Sequence, residues 1–259
     1  MLILLPPSET KTRPPEAEAR PLDLEAMALP ELLEARRTML RAAQRTAGTQ
    51  DAAAKLGVPA SSPELVQRMA DLEHEPAAPP LAVYSGVLYD QLDPAHRPAP
   101  DRRLLVQSAL FGLVDAGTDR IPAYRLSATS AVSRLGKAGS WWTQRLRPTA
   151  QRLQKEQAEG GSPVVIDCRS GSYRSMMQLR TDPAVRVLEV SPVQERGGAR
   201  KVVSHDAKRY RGLVTRSLLA AGTTPASADD VVDLLQPALG GGLRVELEGD
   251  RLVIVDHIA

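Results

Sequence analysis

Several site chemistries need residues that this chain scarcely has. A single cysteine, Cys168, occurs in 259 residues, which excludes an internal disulfide framework and a Cys-rich zinc site. Four scattered histidines give little support to a protein-built metal cage, so neither a metal nor a cofactor is expected. Aromatic residues make up 3% of the chain with one Phe, too few for rows of stacking rings on a single-stranded nucleic acid. No apolar run is long enough to span a bilayer. The opening Met1-Leu2-Ile3-Leu4-Leu5 is stopped by Pro6-Pro7 and lacks the basic region of a signal peptide, so a buried strand in a cytoplasmic protein is expected. The formal net charge is only +2; affinity for phosphate or nucleic acid would have to come from local clustering of basic residues.

What is present is ordinary globular material, 42% hydrophobic and 25% charged, which argues against disorder. With no repeat and no linker, residues 1–259 read as one domain. Helix signals begin at Pro30, with Leu32, Leu33, Met39 and Leu40 at helical spacing. They recur at Ser62-Pro63-Glu64, a capping Ser with Pro in the first turn. Leu81 to Tyr89 reads as a strand, a turn at Gly86 and a short helix. Leu104-Leu105-Val106 continues toward Gly112 as a buried strand, and a basic amphipathic helix runs from Ser140 toward Glu156. Val164 to Asp167 is a short strand, and Val185 to Val190 pairs with Lys201 to Val203 around Gly197-Gly198. A basic helix follows. Alternation in Leu243 to Leu247 and again in Leu252 to Val255, around Glu248-Gly249-Asp250, is a hairpin. The fold class is mixed α/β, with a central mixed sheet and flanking helices.

Four segments carry candidate chemistry. Ser8-Glu9-Thr10-Lys11 leaves the first strand with two hydroxyls, a carboxylate and an ammonium, and could hold an anion; it could equally be a solvated turn. The glycines of a phosphate loop are absent. Arg125, between Tyr124 and Leu126, could clamp a carboxylate or phosphate, or be a structural arginine paired within the core. Arg169-Ser170-Gly171-Ser172-Tyr173 follows a strand in the position where open α/β sheets bind ligands, with Tyr173 a candidate proton donor. Cys168 before it reads as packed and inert, having no histidine beside it. The run Ser204-His205-Asp206-Ala207-Lys208-Arg209-Tyr210-Arg211 is the densest in cations. On a helix Lys208 and Arg211 share one face and Arg209 and Arg216 another, which could serve a site or only a solvated surface. Ser204, His205 and Asp206, adjacent on one element, diverge in direction and do not make a hydrolytic triad.

Taken in order, the segments from Met1 to Lys11, Tyr84 to Tyr89, Tyr124-Arg125-Leu126, Gly136-Lys137 and Ala207 to Gly212 resemble the YaaA peroxide stress protein family, in its high-GC Gram-positive branch, over nearly the whole chain. The resemblance implies a single α/β domain with a positively charged cleft and a helix-hairpin-helix-like element. It also implies double-stranded DNA as a partner and resistance to peroxide by limiting DNA damage and free iron, the latter indirectly here. It carries Lys11, Arg125, Lys208 and Arg211 into the cleft, with Ser8, Ser170 and Tyr173 as polar companions. The chain departs from the family's pattern at Ser85-Gly86-Val87 and at Gly171-Ser172, where charged residues are missing.

Two functions follow as expectations. One is a stress protein holding duplex DNA, or another phosphate-bearing partner, through Ser8, Lys11, Arg125, Arg169, Ser170, Lys208 and Arg211. The alternative is an enzyme (hydrolase, lyase or transferase) acting on a small anionic nucleotide- or nucleobase-like substrate, with Lys11, Tyr173, Glu9 and Asp206 as candidate catalytic groups. Cations spent on internal carboxylates in a protein-binding module would be a third outcome.

Overall fold

A four-residue apolar run has no polar face to offer water, so it suits only the middle of a covered sheet. That is where the computed structural model, which describes residues 1–16, 20–96, 98–160, 162–203 and 206–258, places the N-terminus. Strand β1 (Leu2–Leu5) is wholly buried and pairs in parallel with β3 (Arg103–Ser108) on one side and β8 (Val164–Asp167) on the other.

The remaining strands are β2 (Ala77–Ala78), β4 (Gly112–Asp115), β5 (Ile121–Pro122), β6 (Ala131–Val132), β7 (Gly136–Lys137), β9 (Arg186–Arg196), β10 (Ala199–Val202), β11 (Leu243–Glu248) and β12 (Arg251–His257). Eight of the strands form the main sheet, in the order β11-β12-β9-β8-β1-β3-β4 with β10 also on β9. Its centre from β12 to β3 is parallel, and its hairpins are antiparallel. The hairpin at Gly249 forms as read; the turn at Gly197-Gly198 also forms, but there Ala199 to Val202 pairs with Val193 to Arg196 rather than with Val185 to Val190, because β9 runs on to Arg196 and its first half is taken by β8 and β12.

The helices are α1 (Leu33–Ala47), α2 (Ala52–Leu56), α3 (Glu64–Ala70), α4 (Pro80–Val83), α5 (Ala138–Arg145), α6 (Arg147–Glu159), α7 (Gly171–Met176), α8 (Ala207–Ala220) and α9 (Ala228–Leu239). They flank the sheet, and nearly all buried apolar side chains belong to one continuous cluster. The mixed α/β class is therefore as the sequence indicates.

Four local readings differ. Leu81 lies in helix α4 rather than a strand, because Pro80 sits in its first turn and presets helical φ. Tyr84 is extended only in an isolated bridge to Lys11, and the short helix after Gly86 is a single 3-10 turn, Tyr89–Gln91. At α3 the N-cap is Pro63 and no side chain caps it, so Ser62 contributes its carbonyl to Leu65 instead. The helix expected from Ser140 breaks at Leu146 into α5 and α6, since Pro148 has no N–H to continue the ladder. The strand through Leu104 reverses after Ser108 into β4, its turn tied by the Ser108 hydroxyl, which accepts from Leu110 N and Phe111 N at 3.2 and 3.0 Å.

Candidate functional site

Pro6 and Pro7 cannot extend the ladder, so the chain leaves the sheet at the carboxyl end of β1. The Tyr89 hydroxyl fixes this exit by donating to Pro6 O at 2.7 Å. The segment then runs beside Val83 to Gly86. Thr12 N donates to Val83 O at 2.8 Å, Lys11 bridges Tyr84, and Ser85 N donates to Ser8 Oγ at 3.2 Å. Gly86 turns away at φ +96°, where an added Cβ would lie 3.3 Å from Thr10 Oγ1. A small residue is needed there for both reasons.

The neighbouring parallel strand β8 ends beside β1 and sends out the loop carrying Ser170 and Tyr173. Arg169, expected as an anion ligand, is fully buried instead. It pairs bidentately with Asp167, with Nε–Oδ1 and Nη2–Oδ2 both 2.9 Å, and donates to Gln107 Oε1 at 2.6 Å. Its donors are spent inside the core, so it anchors the loop and does not meet a ligand. Helix α8 closes the third side. Gly212 lets it approach the Leu88 turn so closely that a Cβ would meet Leu88 O at 2.4 Å.

These three segments enclose a cleft of about 540 Å³ whose lining includes Ser8, Glu9, Ser170, Tyr173, Lys208 and Arg211. Lys208 and Arg211 share it as their spacing on one helix face predicts. Ser127 and Thr129 add hydroxyls that the sequence reading missed; the polar run from Ser127 to Ser130 was their only signal. Lys11 and Arg125, expected in the same cleft, lie instead in an adjoining pocket of about 290 Å³. Glu9 and Thr10 line both chambers, since the segment after β1 that carries them is the wall between. Asp206 is exposed at the N-cap of α8 and lines neither, which withdraws it as a catalytic candidate. Ser204 and His205 lie outside the described residues.

The electrostatics of the cleft centre on Arg211. Its Nη1 reaches Ser170 Oγ only at 3.4 Å and its Nη2 reaches Val190 O at 3.5 Å, both at the edge of hydrogen bonding. Its buried Nε has no partner, and among the described residues no carboxylate comes within 4.0 Å of it. Burial holds this guanidinium below its usual pKa. Tyr173 Oη accepts from Ala128 N at 3.3 Å, which leaves its proton free to donate. Burial pushes the phenol up to about 12, so it serves as a donor rather than a base. Cys168, fully buried beneath Arg211 near Thr215, is pushed up to about 12 by burial and stays a thiol.

In the side pocket Lys11 Nζ donates to Ser8 O at 2.7 Å and sits over the rings of Tyr124 and Tyr84, at 4.1 and 5.4 Å. Burial, then the Arg125 charge, lower its pKa to about 7 against a smaller opposing effect of Glu9. Arg125 donates to Gly57 O at 2.8 Å and Glu9 O at 3.0 Å. Among the described residues no group of three or more His, Cys, Asp or Glu side chains could hold a metal, and no helix is long and apolar enough to cross a membrane.

The topology and this cleft define a mixed α/β protein whose candidate site opens at the carboxyl ends of two central parallel strands and is closed by a C-terminal helix. The chain belongs to the peroxide stress protein YaaA family, which matches residues 1–236. It is 37% identical over 247 residues to a UPF0246 protein of Corynebacterium glutamicum, covering 95% of each chain. Against a UPF0246 protein of Streptomyces coelicolor it is 35% identical over 255 residues, 96% of this chain and 93% of the relative. The resemblance drawn from the five short segments therefore holds across the chain.

Proposed function

We propose that the cleft binds a small phosphate-bearing ligand of nucleotide size, with Arg211, Lys208 and Ser170 on the phosphate, as this protein's part in the peroxide stress response of its family. The carrying observation is the state of Arg211. A half-buried guanidinium with one orphaned nitrogen, two long bonds and no carboxylate is costly unless an anion completes it. Phosphate matches its planar fork and accepts from Ser170 as well. The cleft volume of about 540 Å³ falls in the range of roughly 300–1,000 Å³ that small-molecule sites occupy. Tyr173 would donate to the same ligand.

Exposed Lys208 and Arg209 on α8 favour duplex DNA as a second reading, in which backbone phosphates lie along the helix rather than inside the cleft. Calorimetric titration with inorganic phosphate, nucleoside monophosphates and a short duplex, at low and moderate salt, separates the two. The cleft reading expects monophosphate binding that weakens about tenfold or more in Arg211→Leu, the loss of one charge-assisted bidentate contact, with Arg211→Lys intermediate and the far-ultraviolet circular dichroism unchanged. Monophosphate binding that is absent, or indifferent to Arg211, would refute it. Duplex binding with a steep salt slope that survives Arg211→Leu and is lost on replacing Lys208 and Arg209 would establish the second reading instead.

A further inference from the structure

The side pocket holds three cations whose partners do not account for them. Lys11 comes from the segment after β1, Arg68 from α3 and Arg125 from the segment after β5, and all three line the same 290 Å³. Lys11 has a backbone carbonyl and two ring faces but no carboxylate within 4.0 Å among the described residues. Arg125 donates to two backbone carbonyls, Gly57 O and Glu9 O, and among the described residues its one carboxylate is Glu9 at 3.8 Å, whose side chain is 77% exposed, so screening leaves that contact weak and the charge largely uncompensated. Arg68 is half-buried, and among the described residues its side chain has no hydrogen-bond or ion-pair partner. That holds even though Glu64 lies four residues before it on α3, the favourable spacing and order for a helix pair. Other cations of the protein are consumed by carboxylates. Arg200, for instance, engages Glu195, Glu246 and Glu248 at once.

We propose that this pocket is a second anion site, for a single tetrahedral oxyanion of phosphate or sulfate size, with Lys11, Arg68 and Arg125 as ligands and Glu9 as the resident carboxylate that the anion displaces from Arg125. Three cations from three separate segments converge there, while Ser62 on the lining adds a hydroxyl. The site is distinct from the cleft and does not depend on a ligand there, because its cations are not those of Arg211 and Lys208.

Lys11 gives the pocket a pH dependence. The charged groups facing it are Arg125, Glu9, and from α3 Glu64 and Arg68. The phenols of Tyr84 and Tyr124 against it stay neutral because burial raises them. Losing the Lys11 proton as pH rises through about 7 removes one of the three positive charges, so anion affinity falls.

Sulfate is the probe, since its charge does not change across this range, and Arg211→Leu protein is the host, since its cleft lacks the central cation. Titration calorimetry is expected to find one sulfate per chain. Affinity at about pH 8.5 should be several-fold weaker than at about pH 6. Adding Arg68→Leu or Arg125→Leu should weaken it about tenfold or more, and adding Glu9→Gln should tighten it. A crystal soaked in selenate should show an anomalous peak among Lys11, Arg68 and Arg125. No sulfate binding in the host, binding indifferent to Arg68→Leu, or selenate found elsewhere overturns the proposal. The cleft reading is judged separately, from monophosphate binding to Arg68→Leu protein with Arg211 intact, so either can fail alone.

Discussion

Two effects of opposite sign meet at Gly212, and their magnitudes decide the outcome of Gly212→Ala. The residue lies inside α8, where helix propensity alone favours alanine by about 1 kcal/mol. Against that, a Cβ there would sit 2.4 Å from Leu88 O, 2.7 Å from Gln91 Cγ and 2.9 Å from Gln91 Cβ. The glutamine can swing aside. The carbonyl cannot, because it is backbone and accepts from Gln91 N at 3.2 Å in the 3-10 turn. To reach even the 3.0 Å below which such contacts are essentially not seen, helix and turn must separate by roughly 0.6 Å. Overpacking of this kind costs about 1–3 kcal/mol, and a clash with fixed backbone belongs in the upper part of that range, so the net loss is up to about 2 kcal/mol, or a fall in Tm of up to about 8 °C for a chain of this size. The same retreat carries Lys208 and Arg211 away from the opposite wall, so phosphate affinity should fall several-fold. Thermal unfolding followed by circular dichroism, with calorimetry on the same samples, measures both. An alanine variant as stable as the parent, or more so, would show that α8 does not hold this contact and that the cleft is looser than described.

Arg36 is fully buried and donates to the carbonyls of Ala28, Phe111 and Leu113 at 2.7, 3.1 and 2.8 Å. Arg36→Met keeps the apolar stem but orphans these acceptors, which lie before α1, in the turn between β3 and β4 and in β4 itself, an expected loss of about 3–5 kcal/mol in urea unfolding. A loss under about 1 kcal/mol would mean that water reaches them. Lys11 provides a test by pH. Its pKa falls from 10.5 in the unfolded chain to about 7 in the fold, so between those values the unfolded state binds more protons and the lysine's contribution to stability rises with pH. Below about pH 7 the buried ammonium is a full liability. Lys11→Met should therefore gain stability relative to the parent most at about pH 6 and least at about pH 9; a difference that is flat with pH would place the titration elsewhere.

The C-terminal hairpin was legible because alternation and a Gly-containing turn act within a dozen residues. So was the first strand, since an apolar run ended by two prolines leaves few alternatives. The reading failed where local signals are degenerate. Leu81 to Val83 is as apolar as a strand, and only Pro80 in the first turn tips it to a helix. Ser140 to Glu156 keeps a helical period across a real break, because α5 and α6 both pack on the same core. Only Pro148 marks the interruption.

For the site, residue type located the charges but not their partners. Arg169, after an apolar strand, and Arg211, within a basic run, are equally plausible anion ligands in sequence. One is saturated by Asp167 and Gln107; the other lines a cleft with two long bonds and a buried nitrogen that has no partner among the described residues. That difference depends on β8, β3 and α8 meeting in space, and no spacing along the chain records it. The same holds for Lys11 and Arg125, which the sequence grouped with Arg211 and the fold divides from it by the segment that carries Glu9 and Thr10. An arginine whose donors are all met inside the protein has nothing left for a ligand, whereas one held half-buried without acceptors stores an unmet desolvation cost that a bound anion relieves. By that criterion Arg211 and Arg68 are the residues to mutate first, although nothing along the chain singles out Arg68.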